Sequence, residues 1–148
     1  QFLTGPKKNA LAPDELILGA RWTVTRGPGS FSKIGTRNAM VIAVAGLCLV
    51  VDEGQRQVRV ALGSVGPTIL RAPEAEALAA RALAAAGAWD DRLAPLPAKA
   101  LEEFGERVGA AARPIDDVRG SAAYRRHACR VLARRALTWA LDDRKLRG

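Results

Sequence analysis

Between Met40 and Val51 the chain is apolar without a break, and Asp52-Glu53-Gly54-Gln55 closes the run with turn residues. A second run follows from Val58 to Val65. It alternates at its start, with Val58, Val60 and Leu62 pointing one way and Gln57, Arg59 and Ala61 the other. Two such runs joined by a short Gly-containing connection predict a β-hairpin. The first arm does not alternate, so both of its faces are expected to be covered. On that reading Leu47 and Leu49 are buried in a central strand and Ile42 belongs to the core.

Around the hairpin the pattern predicts a mixture of short pieces and helices. Asp14 to Leu18 reads as a helical turn, ended by Gly19, and Ala20 to Val24 as a short strand. Arg26-Gly27-Pro28-Gly29-Ser30 is a breaker cluster and the expected boundary. Phe31 to Ile34 starts a new alternating piece, and Ile69-Leu70 suits a brief strand. Pro73 fits the first position of a helix with Glu74 and Glu76 in its first turn, running to about Ala86 and stopping at Gly87. A second helix is expected from Lys99 to Ala111, with Leu101, Phe104 and Val108 forming one stripe. Ser121 is a suitable N-cap for a third. There Ala128, Cys129, Leu132, Ala136 and Trp139 share one side, opposite a basic face of Arg126, His127, Arg130 and Arg134. Arg125 falls on the apolar side and therefore needs a carboxylate, for which Asp116-Asp117 is nearest.

Composition narrows the functions available. The 148 residues are 49% hydrophobic, enough for a core, and carry a formal net charge of +8. That charge reads as arginine on solvated helix faces; nucleic-acid binding would want aromatics interleaved with the basic residues, and this helix face has none. The two cysteines, Cys48 and Cys129, sit in apolar settings, as expected of small core residues in a reducing compartment such as the cytoplasm. No Cys/His spacing suggests a metal. The run from Ala39 to Val51 is shorter than the ~20 residues that span a bilayer. No catalytic set can be assembled: His127 stands alone among arginines, and Asp90-Asp91 and Asp116-Asp117 are neighbours whose side chains point apart. Arg26 to Ser30 lacks the phosphate-binding glycine patterns and opens a strand rather than a helix.

Four stretches follow one another in order: Phe31-x-Lys33; Arg37-Asn38-Ala39-Met40-x-Ile42-Ala43; Ala61-Leu62-Gly63-Ser64-Val65-x-Pro67-Thr68; and Pro114-Ile115-Asp116-Asp117-x-Arg119-Gly120-Ser121-x-x-Tyr124-Arg125. Together they resemble the C-terminal domain of the FAD-binding (medium) subunit of molybdenum hydroxylases, the carbon monoxide dehydrogenase and xanthine dehydrogenase family. Gly5-Pro6, Leu11 to Leu16 and Ala20 to Val24 look like the tail of the preceding flavin domain. The resemblance implies an α+β fold, a three-stranded antiparallel sheet packed against three helices. It divides the chain into residues 1–26, the end of an FAD-binding domain, and 27–148, the C-terminal domain.

The same resemblance implies a role in electron transfer from a molybdopterin subunit through 2Fe-2S clusters to FAD and an external acceptor. Lys33, Ile42 and Arg56 are the implied flavin-facing positions, with no catalytic residue and no metal site in this chain. Asp116, Arg119 and Arg125 look like the internal tie of the domain. Relatives commonly have Asp where this sequence has Val41, and the half that holds the FAD pyrophosphate is not within these residues. This chain by itself is expected to be non-catalytic and part of a longer protein. The competing expectation is a cofactor-free module that docks partner subunits.

Overall fold

A computed structural model of the chain describes residues 2–146. Two strands, β1 (Leu3–Gly5) and β2 (Lys8–Asn9), form a small hairpin of their own. The main sheet has four antiparallel strands in sequence order: β3 (Gly29–Ile34), β4 (Ala45–Asp52), β5 (Gln57–Gly63) and β6 (Leu70–Arg71). Three helices follow, α1 (Pro73–Ala85), α2 (Ala98–Ala111) and α3 (Ala122–Leu146). The fold is the expected α+β arrangement; the main sheet has one strand more than the three the resemblance implies, because the brief strand expected at Ile69-Leu70 forms as Leu70–Arg71 and pairs with Leu62 and Ala61.

The hairpin β4–β5 runs in one register from Gly46 opposite Gly63 to Asp52 opposite Gln57. Along β4 the residues Ala45, Leu47, Leu49 and Val51 are fully buried, and along β5 so are Val58, Val60 and Leu62. They face the helices: α3 packs on β3 and β4, α1 packs on β5, and α2 packs against both α1 and α3. Phe104 and Val108 of α2, and the alanines Ala133 and Ala136 of α3, complete one core. The small side chains let α3 approach closely. A Cβ on Gly109 would lie 3.2 Å from the Arg126 carbonyl, and one on Gly105 would lie 3.0 Å from that of Arg130.

The helix ends have identifiable causes. Pro73 sits at the start of α1, and Gly87, with φ of +67°, follows its last turn. At α3, Ser121 Oγ accepts the Tyr124 N–H at 3.2 Å, and Asp116 Oδ1 accepts the Ala122 N–H at 2.6 Å.

Several expectations are corrected. The strand begins at Ala45, not Met40; residues 35–44 form a loop in which Met40 is 99% exposed and Ile42 68%. Ile42 is therefore not core, because no element among the described residues lies over it. Neither a helical turn at Asp14–Leu18 nor a strand at Ala20–Val24 forms. Those residues are exposed, and a short helix or a strand without a sheet partner has nothing to offset its ordering entropy. Trp139, placed on the apolar side of α3 by the periodicity, is half exposed. The basic face of the same helix is partly neutralised, since Arg130 pairs with Glu106 and Arg134 with Glu102 across to α2.

Candidate functional site

One buried cation organises one end of the sheet. Arg125 is 4% exposed, and its Nη2 donates to Asp117 Oδ1 at 2.5 Å. Its Nη1 donates to the carbonyls of Val44 at 3.0 Å and Ser64 at 2.8 Å, and its Nε to that of Gly120 at 3.3 Å. The planar guanidinium thus ties three loops together: residues 35–44, 64–69 and 114–121. A buried charge is tolerated only with several such partners. The Asp117 carboxyl is held below the usual range by the Arg119 N–H, with Arg125 adding to the effect. The tie runs through Asp117, whereas Asp116 serves as a helix cap. Arg119 lies 3.9 Å from Asp117, at the outer limit of an ion pair.

These loops carry exposed apolar side chains: Met40, Ile42, Ile69, Ile115 and Val118, with Phe31 70% exposed on β3 beside them. The uncovered face of the sheet runs out to the same end. There Gly46 and Gly63 are register partners, and a Cβ built on either meets nothing closer than 3.7 Å. Gly46 is buried and Gly63 half-buried, with Phe31 lying against the one and Ile69 against the other. Lys33 stands opposite Gly46, with Nζ donating to the Val41 carbonyl at 2.8 Å. Among the described residues no carboxylate pairs with Lys33.

The structure brings Lys33 and Ile42 together on this surface but not Arg56. Arg56 occupies the turn of the hairpin with φ of +50° and pairs with Asp90 at 2.5 Å. Six residues of β4 separate the two ends, roughly 20 Å at the rise of a strand. Sequence reasoning missed Phe31 and Met40 as surface groups and the pairing of Gly46 with Gly63. The glycines were legible, because the register set by the Asp52–Gln55 turn places them opposite each other.

Other clefts offer less. A cavity of about 330 Å3 between α1 and α2 is lined by Arg71, Arg107 and Arg113. Each is already engaged: Arg71 by Glu76, Arg107 by Glu103, and Arg113 by the Ala110 and Ala112 carbonyls. No group of acidic, cysteine or histidine side chains among the described residues is arranged to hold a metal ion.

The sheet is thus covered by helices on one face and open on the other, next to an exposed apolar loop end. Residues 30–140 match the CO dehydrogenase flavoprotein C-terminal domain, and the chain belongs to that family. Solved structures of similar fold include the Cu,Mo-CO dehydrogenase in its cyanide-inactivated form, at TM-score 0.58 and 24% identity over 77% of this chain and 36% of that one. Quinoline 2-oxidoreductase from Pseudomonas putida 86 matches at TM-score 0.58 and 15% identity, over 78% and 37%. Carbon monoxide dehydrogenase from Hydrogenophaga pseudoflava matches at 0.56 and 24%, over 78% and 37%. The chain spans little more than a third of the length of these structures. Comparison with curated proteins finds no match.

Proposed function

We propose that this chain is the C-terminal part of the flavin subunit of a molybdenum hydroxylase and forms one wall of its FAD site. The observation that carries the reading is the loop end of the sheet: the Lys33 ammonium, with no carboxylate beside it among the described residues, next to exposed Ile42, Met40 and Phe31. Lys33 would hold a polar edge of the isoalloxazine ring and Ile42 would cover its apolar part. FAD, when bound, accepts electrons and passes them to an external acceptor; this chain's residues orient the ring and keep water from one face. A single ring at Lys33 lies out of reach of Arg56, so we assign Arg56 to its contact with Asp90.

On this proposal residues 1–26 belong to an upstream FAD-binding domain that holds the pyrophosphate. The exposed Leu16, Ile17, Leu18, Trp22 and Val24 then pack on that domain. Molybdopterin and 2Fe-2S subunits would be the remaining partners, in the cytoplasm, where the free thiols of Cys48 and Cys129 stay reduced. No helix among the described residues is long and apolar enough to cross a membrane.

Tight small-molecule sites bury ~70–90% of their ligand, and one wall does not. Titrating the chain with FAD and following flavin fluorescence should give no saturable binding at or below about micromolar, worth roughly 8 kcal/mol. Joined to the upstream domain, the chain should yield a yellow protein whose flavin absorption shifts on Lys33→Ala and not on Arg56→Ala. An unchanged spectrum in Lys33→Ala would refute the assignment.

A further inference from the structure

Helices α2 and α3 lie side by side and antiparallel. A Cβ on Gly105 would meet the Arg130 carbonyl at 3.0 Å, and one on Gly109 the Arg126 carbonyl at 3.2 Å, so their facing positions recur every four residues. Along the outside of this contact runs a ladder of ion pairs. Glu102 pairs with Arg134, and Glu106 with Arg130 at 3.2 Å. The next rung of the same spacing sets position 110 against Arg126. Position 110 is an exposed alanine. Arg126 is exposed too, and among the described residues its side chain has no carboxylate and no hydrogen-bond acceptor.

A second cation stands at that rung. Arg113 Nη1 donates to the Ala110 carbonyl at 2.6 Å and to that of Ala112 at 3.2 Å, and no carboxylate among the described residues pairs with it. The acids of the adjoining loop are committed elsewhere. Asp117 Oδ1 accepts from Arg125, and Asp116 Oδ1 accepts the Ala122 N–H. Two rungs of the ladder are thus neutral, and the third carries two guanidiniums without an acid.

We propose that this open rung docks an acidic segment of a partner protein, one of whose carboxylates takes the place that Glu102 and Glu106 hold at the rungs before it. The ladder itself favours a carboxylate: the same arginine spacing on α3 already holds one at each of two rungs. A guanidinium fork matches that group. A nucleic acid would want a longer basic track with aromatic side chains to stack its bases.

The test follows the backbone amide signals of Ala110 and Arg126 in the 15N-labelled chain. An oligoglutamate peptide, an oligolysine peptide and a duplex DNA oligonucleotide are titrated separately. Oligoglutamate should shift both signals saturably at low salt and less as salt is raised; oligolysine should leave them in place. Arg126→Gln and Arg113→Gln should each weaken the peptide about two- to fivefold, the range of one exposed ion pair. Ala110→Glu supplies the missing acid within the chain and should weaken it at least as much. Arg81→Gln, which removes an exposed charge from α1, should leave it unchanged. Equal loss in Arg81→Gln and Arg126→Gln, or undiminished binding in Ala110→Glu, would reduce the rung to general basic charge and overturn the proposal. Binding of the DNA at lower concentration than the peptide would overturn it as well, and so would the absence of any shift at the two amides.

Discussion

Arg125 holds loops that are distant in sequence, and its removal should be felt at all of them. Arg125→Met leaves the carbonyls of Val44, Ser64 and Gly120 without this donor and Asp117 without its cation. A loss of about 3–5 kcal/mol in urea unfolding is expected, the range for breaking one side of a buried pair. Its burial was legible because it falls on the apolar side of α3, and so was the need for a carboxylate. The carbonyls were not, since a backbone acceptor leaves no mark in the sequence. Acid should act on the same tie. Asp117 and Glu76 are both held below the usual carboxylate range. For Glu76, burial pushes upward, but the Arg71 guanidinium and the N–H groups of Val60 and Ala72 outweigh it. Depressed values mean that the stabilisation is present above the unfolded values of about 3.9 and 4.3 and is lost as pH falls through the folded ones. The urea midpoint should stay level from about pH 7 to 5 and drop below about pH 4. A midpoint that rises on acidification would contradict this. Burial pushes the Cys129 thiol up to about 11, so at pH 8 it should react with a thiol reagent only after unfolding; rapid reaction in the folded chain would contradict its burial.

At the scale of elements, the core is tight in two places that mutation can separate. Leu47 is fully buried in β4, and Leu47→Ala should cost ~2–5 kcal/mol. A loss below ~0.5 kcal/mol, the range of surface changes, would contradict its position. Gly109→Ala tests the α2–α3 contact. In an isolated helix the change gains up to about 1 kcal/mol. Here the new methyl meets Arg130 Cγ at 2.5 Å and the Arg126 carbonyl at 3.2 Å, so the helices must part. Overpacking of that kind costs about 1–3 kcal/mol, and a lowered thermal midpoint is expected. The hairpin and all three helices were legible because turn chemistry, capping and periodicity agree at Asp52–Gln55, Pro73 and Ser121. The start of β4 was not. Met40 to Val44 is as apolar as Ala45 to Val51, and nothing in an apolar run says whether its cover lies in the same chain. The two residues of β6 are too short a pattern to show which strand they pair with.

Taken whole, the molecule has two ends with different chemistry. The hairpin-turn end gathers Glu53, Arg92, Arg144 and the Arg56–Asp90 pair. The loop end gathers exposed apolar side chains around Lys33. The family resemblance named Lys33, Ile42 and Arg56 together, because sequence order carries no distance; the sheet puts roughly 20 Å between the first two and the third. The claim that the loop end is the flavin wall can be read directly in solution. FAD added to the 15N-labelled chain at millimolar concentration, far above any tight site, should shift amide signals at Lys33, Ile42, Gly46 and Gly63 while leaving Gln57 and Arg59 in place. Shifts confined to the hairpin-turn end, or none at the loop end, would contradict the account.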